Sequence, residues 1–171
     1  AKVVGKLADI SRQRSREQEL REQAMRDVLT GIYNKAGEKL IDRMVKEKGQ
    51  GLFLMLDLND FKSINDTMGH AAGDAILTEM GRVLKGACRE NDIVARIGGD
   101  EFVMFLPGAF DWQTGKRKIG EIQDSLRTVM ITTWGIRGIR ASIGAALCPE
   151  DGMDYETLFK AADEAMYLDK E

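Results

Sequence analysis

An aspartate closing the most apolar stretch of the chain, and an acidic pair behind two glycines, are the side chains with most chemistry to offer. Gly51–Leu58 reads GLFLMLDL, a nearly unbroken apolar run of strand length, and Asp57 stands near its C-terminal end. Such a run predicts a central strand covered on both faces. Further along, Gly98-Gly99-Asp100-Glu101 joins two short strand patterns, Asp92–Ile97 and Glu101–Leu106. A Gly-Gly pair between strands predicts a tight hairpin in which glycine takes the positive φ of the turn. Half-buried carboxylates are costly unless paired or bound to cations. If the two strands are neighbours, Asp57, Asp100 and Glu101 converge at one end of the sheet, as oxygen ligands for a hard ion such as Mg²⁺. The glycines leave the backbone open to a phosphate, and Lys62 adds a cation shortly after Asp57. The plainer alternative is a strand-end aspartate capping a turn, followed later by an ordinary polar loop. The residues alone leave both readings open.

The elements that position these groups follow from periodicity. Residues 2–29 lack proline and any strand pattern, and Glu17/Arg21 and Glu22/Arg26 are acid-before-base pairs at helical spacing. In a heptad frame, Arg14, Glu17 and Arg21 share core positions with Leu7, Ile10, Ala24 and Val28, a poor continuous coiled coil. The reading is a mostly solvated helix that either pairs with a second copy or simply leads into the domain. Residues 29–34 break the pattern. A helix is expected over 36–48, with Leu40, Ile41, Met44 and Val45 on one side and Gly49 ending it. Residues 59–70 read as a polar connection, followed by a helix from about Ala71 to Ala87. A helix over 114–130, a strand over 139–147 and a last helix from about Asp154 complete the chain. The hairpin implies an antiparallel sheet flanked by helices, an α+β fold.

Composition fits a globular domain, with 171 residues, 43% hydrophobic and 31% charged. The net charge of −3 provides no general basic field for nucleic acid or an anionic membrane. The single histidine, His70, excludes a His-rich metal site, and Cys88 and Cys148 read as reduced cytosolic thiols. No apolar run reaches the roughly 20 residues of a membrane helix. The first residue is Ala1, which suggests a piece of a longer polypeptide and leaves an upstream membrane anchor open.

Beyond these patterns the chain resembles a known family. Arg96-Ile97-Gly98-Gly99-Asp100-Glu101-Phe102 contains the signature that names the GGDEF family of bacterial diguanylate cyclases. Asp27-Val28-Leu29-Thr30-Gly31-Ile32-Tyr33-Asn34 is similar to the family's opening D-x-L-T-G-L-x-N. The stretch from Asp57 to His70, with Gly73-Asp74 after it, is similar to D-x-D-x-F-K-x-x-N-D-x-x-G-H. Ser142-Ile143-Gly144 and Ala161–Tyr167 resemble the family's S-I-G strand and A-D-x-A-[ML]-Y helix. The match spans residues 27–170 in order.

The resemblance implies a fold like the nucleotidyl cyclase and polymerase palm: a five-stranded sheet with flanking helices, here a catalytic domain over 30–171 after a linker helix over 1–29. It implies Mg²⁺-dependent (or Mn²⁺-dependent) condensation of two GTP into cyclic di-GMP and two pyrophosphates, at the interface of a head-to-tail homodimer. Asp57 and Asp100 would hold the metal by side chain and Leu58 by its carbonyl. Asp100 would also be the base for the 3′-hydroxyl, with Glu101 assisting at the metals. Lys62 would neutralise phosphate charge, while Phe61, Gly98, Gly99 and Lys170 would also contact GTP. Asn65 and Asp74 would read the guanine edge. His70 would border the substrate or serve structure alone. Arg89-x-x-Asp92 is similar to the family's inhibitory site for cyclic di-GMP. Asn59 stands where the family often has a second aspartate. The usual Gly-Arg-Asn segment and closing strand do not follow Glu171, which implies a missing phosphate contact and reduced activity. An upstream sensor and a cytoplasmic location are further implications, with no nucleic acid partner and no membrane contact by these residues. The alternative is a catalytically weak domain that binds GTP or cyclic di-GMP and signals by contact.

Overall fold

The apolar run Gly51–Leu58 (β1) is the heart of an antiparallel sheet in a computed structural model that describes residues 2–134 and 140–170, with side chains described outside 131–134 and 168–170. Its neighbours are Glu101–Pro107 (β3) on one side and Ala141–Cys148 (β4) on the other, and Ile93–Arg96 (β2) pairs beyond β3. Successive strand residues point to opposite faces, so β1 feeds two cores. Leu52, Leu54, Leu56 and Leu58 pack with Ile76, Met80 and Leu84 of His70–Ala87 (α4) and with Ile122 and Leu126 of Trp112–Trp134 (α5). Phe53 and Met55 pack with Ile41 and Val45 of Gly37–Lys48 (α2) and with Leu158 and Ala162 of Tyr155–Lys170 (α6). Every residue of β1 is buried except Asp57, which is half-buried and shares the α2/α6 face. The strand is central and doubly covered, as its composition predicts.

Two elements differ from the sequence reading. The N-terminal helix, Lys2–Ala24 (α1), stops five residues before the expected end and buries none of its residues. It stops because residues 25–34 turn back on themselves: Arg26 bridges Tyr33, the Asp27 amide donates to the Ile32 carbonyl at 2.7 Å, and Asn34 Nδ2 donates to the Ala24 carbonyl at 2.8 Å. The polar connection over 59–70 contains a two-turn helix, Phe61–Met68 (α3), which plants Ile64 in the core. It begins at Asp60, whose φ of 58° is left-handed, a conformation aspartate tolerates better than most residues. The sheet has four strands among the described residues, against the five implied by resemblance. Tyr33 adds a single bridge beside Ala95 at its β2 edge. No described helix is long and apolar enough to cross a membrane.

Gly144 sets how closely α6 approaches the sheet. A Cβ there would overlap the Ala162 carbonyl and lie 2.8 Å from Met166 Cβ. Gly144→Ala is therefore expected to destabilise the protein by about 1–3 kcal/mol, as overpacking does. Chemical denaturation reads this directly, and a neutral result would show that α6 can lift without cost.

Candidate functional site

Antiparallel register, not sequence proximity, brings the acids together. Asp57 of β1 lies directly opposite Glu101 of β3, and the Asp100 carboxyl hydrogen-bonds that of Asp57. Like charges opposite one another on a sheet destabilise it. Burial pushes the Asp100 carboxyl up, the hydrogen bond and charge of Asp57 push it further, and Glu101 adds to this, so it titrates at about 6. From α6, Asp163 and Glu164 face the same cleft of about 540 Å³, with Tyr167 exposed beside them. One wall of this cleft was missed by the sequence reading. Its only signal was the acidic pair following Ala162 in the last helix.

The turn before Asp100 corrects one expectation. Neither Gly98 nor Gly99 takes a positive φ; among the described residues the glycines that do are Gly31, Gly49, Gly69 and Gly108. The loop is wide enough to need no left-handed residue, with the Ile97 amide donating to the Glu101 carbonyl at 3.0 Å. A Cβ at Gly98 would lie 2.9 Å from Glu101 Oε2 and push that carboxylate aside, whereas a Cβ at Gly99 would meet nothing within 4 Å. Open space beside the Gly99 backbone suits a phosphate.

At the end of β1 that carries Asp57, α3 and α4 meet at a close corner. Gly73 of α4 is buried against Asn65, where a Cβ would overlap Oδ1, and the Phe61 ring edge would lie 3.2 Å from that Cβ. Asn65 Oδ1 is buried with no hydrogen-bond partner. Lys62, His70 and Asp74 are exposed around this corner. Asn59, the departure from the family pattern, accepts a hydrogen bond from Ser142 Oγ at 2.7 Å, so its side chain braces β4. Leu58 is buried on the opposite face from Asp57. The side chain of Lys170 lies outside the described residues.

Arg89 and Asp92 are not part of this cluster. They sit before β2 at the far end of the sheet, beside a second cleft of about 380 Å³ that Lys48 and Gln50 also line. Asp92 Oδ2 accepts the backbone amide of Arg89 at 2.7 Å and the Asp92 amide returns to the Arg89 carbonyl at 3.1 Å. The carboxylate thus braces the turn, and the exposed Arg89 is in none of the ion pairs among the described residues.

The donor set around Asp57 fits a hard divalent cation: carboxylate oxygens, with no thiol or imidazole lining the cleft. Among the described residues no three His, Cys, Asp or Glu side chains form a complete metal-binding group. Carboxylate oxygens suit an ion such as Mg²⁺, which keeps waters and substrate phosphates in its shell.

The chain is an α+β domain, a helix-flanked antiparallel sheet that brings paired carboxylates and an open glycine turn to one end. The family profile described as "Diguanylate cyclase, GGDEF domain" matches residues 24–171, and the chain belongs to that GGDEF-domain family. It is 33% identical over 160 residues to diguanylate cyclase DgcS of Shewanella oneidensis, covering 90% of this chain and 52% of DgcS. It is 32% identical over 163 residues to the cyclic di-GMP phosphodiesterase NbdA of Pseudomonas aeruginosa, covering 88% of this chain and 20% of NbdA. The chain thus spans about half or less of these relatives. The solved coiled coil and GGDEF domain of DgcB from Caulobacter crescentus, in complex with c-di-GMP, is similar with a TM-score of 0.83 and 27% identity. That similarity covers 99% of this chain and 93% of the other.

Proposed function

We propose that this chain is a diguanylate cyclase domain, joining two GTP molecules held by two copies facing head to tail. The observation that carries the reading is the meeting of Asp57, Asp100 and Glu101 at the end of β1, next to the open backbone of Gly99. In each half-reaction the 3′-oxygen of one GTP bonds to the α-phosphorus of the other, the bond to pyrophosphate breaks, and the hydroxyl proton leaves. Asp100 takes that proton, and Glu101 assists at the metal. Asp57, Asp100 and the Leu58 carbonyl would hold Mg²⁺ or Mn²⁺, which when bound offsets phosphate charge and makes the attacking hydroxyl more acidic. Lys62 neutralises charge on the transferred phosphate, joined by Lys170. Asn65 and Asp74 read the guanine edge beside Phe61 and His70. GTP as substrate places the reaction in the cytoplasm, under an upstream sensor.

The test is incubation with GTP and Mg²⁺ at a concentration high enough for dimers, followed by chromatography, with Asp100→Ala as control. Cyclic di-GMP from the unmutated protein alone is the expected result. GTP binding by calorimetry without turnover, in a longer chain as well, would instead establish a nucleotide-binding signalling module.

Product inhibition would act at Arg89 and Asp92, where an exposed guanidinium faces a cleft at the end of the sheet away from the carboxylates. Removing one charged hydrogen-bonding group costs about 1.5–3 kcal/mol. Arg89→Ala is therefore expected to raise the product concentration for half-inhibition about ten- to a hundredfold. Initial rates against added cyclic di-GMP measure this, and unchanged inhibition removes Arg89 from the role.

A further inference from the structure

One guanidinium connects the chain segment after α1 to the turn that presents Asp100. Arg96 Nη1 donates to both carboxylate oxygens of Asp27, at 3.2 and 3.3 Å, across 69 positions of sequence, while its Nε donates to the Gly99 carbonyl at 3.0 Å. The Arg96 side chain is 18% exposed, as is that of Asp27. Asp27 is itself braced, because its Oδ2 accepts from the Thr30 amide at 2.9 Å and the Thr30 hydroxyl at 2.7 Å. Thr30 in turn is pressed against Gly81 of α4, where a Cβ would lie 2.8 Å from Thr30 Cβ. The Arg96 amide donates to the Tyr33 carbonyl at 2.8 Å, and Arg26 stacks 3.9 Å above the Tyr33 ring.

Two adjacent glycines carry more backbone freedom than any other pair. Gly99 is exposed and nothing lies within 4 Å of where its Cβ would be, so packing does not hold it. The peptide unit is planar, so fixing the Gly99 carbonyl also fixes the amide of Asp100. An arginine can do this while keeping its ion pair, because its donors project in a rigid fork; a lysine offers a single point charge.

We propose that Arg96, braced by Asp27, is a positioning residue that fixes the Gly99–Asp100 peptide and thereby aims the Asp100 carboxyl at the reaction. Its kinetic consequence rests on the cyclase reading; its structural consequence does not. The segment 27–34 then becomes the joint through which the end of α1 bears on the site.

The test compares the unmutated chain with Arg96→Lys and Asp27→Asn. Backbone ¹⁵N relaxation without nucleotide is expected to show order parameters at Gly99 and Asp100 near 0.85 in the unmutated chain, falling below about 0.6 in Arg96→Lys. With GTP and Mg²⁺, kcat is expected to fall about ten- to a hundredfold in Arg96→Lys. KM should stay within about twofold of the unmutated value, and Asp27→Asn should shift both readouts the same way by less. Unchanged order parameters at Gly99 and Asp100, or a loss carried by KM and not kcat, would overturn the positioning role. Unfolding of both variants would assign the ion pair to the fold alone and overturn it equally. If the unmutated chain makes no cyclic di-GMP, the cyclase reading falls while the order parameters still decide whether Arg96 positions the turn.

Discussion

Asp100→Asn is expected to lower cyclic di-GMP synthesis by about 10²- to 10⁴-fold, the usual range for losing a general base, while making the metal-free protein more stable. The two effects share one cause. Asp100, Asp57 and Glu101 are held together by strand register, and without a cation their mutual repulsion opposes folding. Asp100 titrates at about 6 when folded, against about 3.9 in an unfolded chain. The folded state therefore binds the proton more tightly. Its contribution to stability is full below about pH 4 and is lost as pH rises through about 6. Asp27, Asp42 and Asp154, whose carboxyls are held below the ordinary value, are ionised in both states from pH 5 upward and do not mask this. With solvent screening of a half-buried carboxyl taken into account, the loss is about 1 kcal/mol, or a few degrees in Tm for a chain of this size. Thermal melts in chelator at pH 5 and pH 7.5 should show it in the unmutated protein and not in Asp100→Asn. A variant that keeps full activity, or melts lower than the parent at pH 7.5, would remove Asp100 from the acidic cluster's chemistry.

How much of this could be read from sequence depended on whether a residue's reason lay nearby. The bounds of β1 were legible because eight consecutive residues had to be apolar to be buried on both faces, with Asp57 as the visible exception. Gly49 ends α2 at a φ of 68° with its amide on the Val45 carbonyl, a local device with a local signature. By contrast α3 escaped notice. Phe61, Ile64 and Met68 have helical spacing, but only Ile64 is buried, and two turns are too few for periodicity to stand out. Gly98 and Gly99 do not take the positive φ expected of them: a sequence does not tell a glycine chosen for φ from one, such as Gly98, whose Cβ space a neighbour's side chain occupies. Gly144 is the same case, since its need arises from α6 and appears only once that helix is docked. Arg96 and Asp27 lie 69 positions apart and no spacing rule joins them. The carboxylate cluster was anticipated only on the condition that β1 and β3 are neighbours, and the register supplies that condition.

Gly73→Ala is expected to weaken GTP binding strongly although it improves the helix in which it sits. In an ordinary helical position this change stabilises by about 0.5–1 kcal/mol. Here the added methyl would overlap Asn65 Oδ1 and crowd the Phe61 ring. Asn65 is the movable partner, because its Oδ1 makes no hydrogen bond within the protein. A buried acceptor left without a protein partner is costly unless something else satisfies it, and under the proposed function that donor belongs to guanine. Displacing Asn65 forfeits about 1–3 kcal/mol of that contact, so KM for GTP should rise about five- to a hundredfold. The change in kcat should be smaller, because Asp57 and the turn before Glu101 are held by the pairing of β1 with β3 and not by the packing of Gly73 on Asn65. Asn65→Ala should produce a similar loss, and the double variant little more than either alone, since both remove one contact. GTP affinity measured by calorimetry separates the outcomes. Unchanged affinity in Gly73→Ala, or fully additive losses in the double variant, would show that Asn65 does not face the nucleotide.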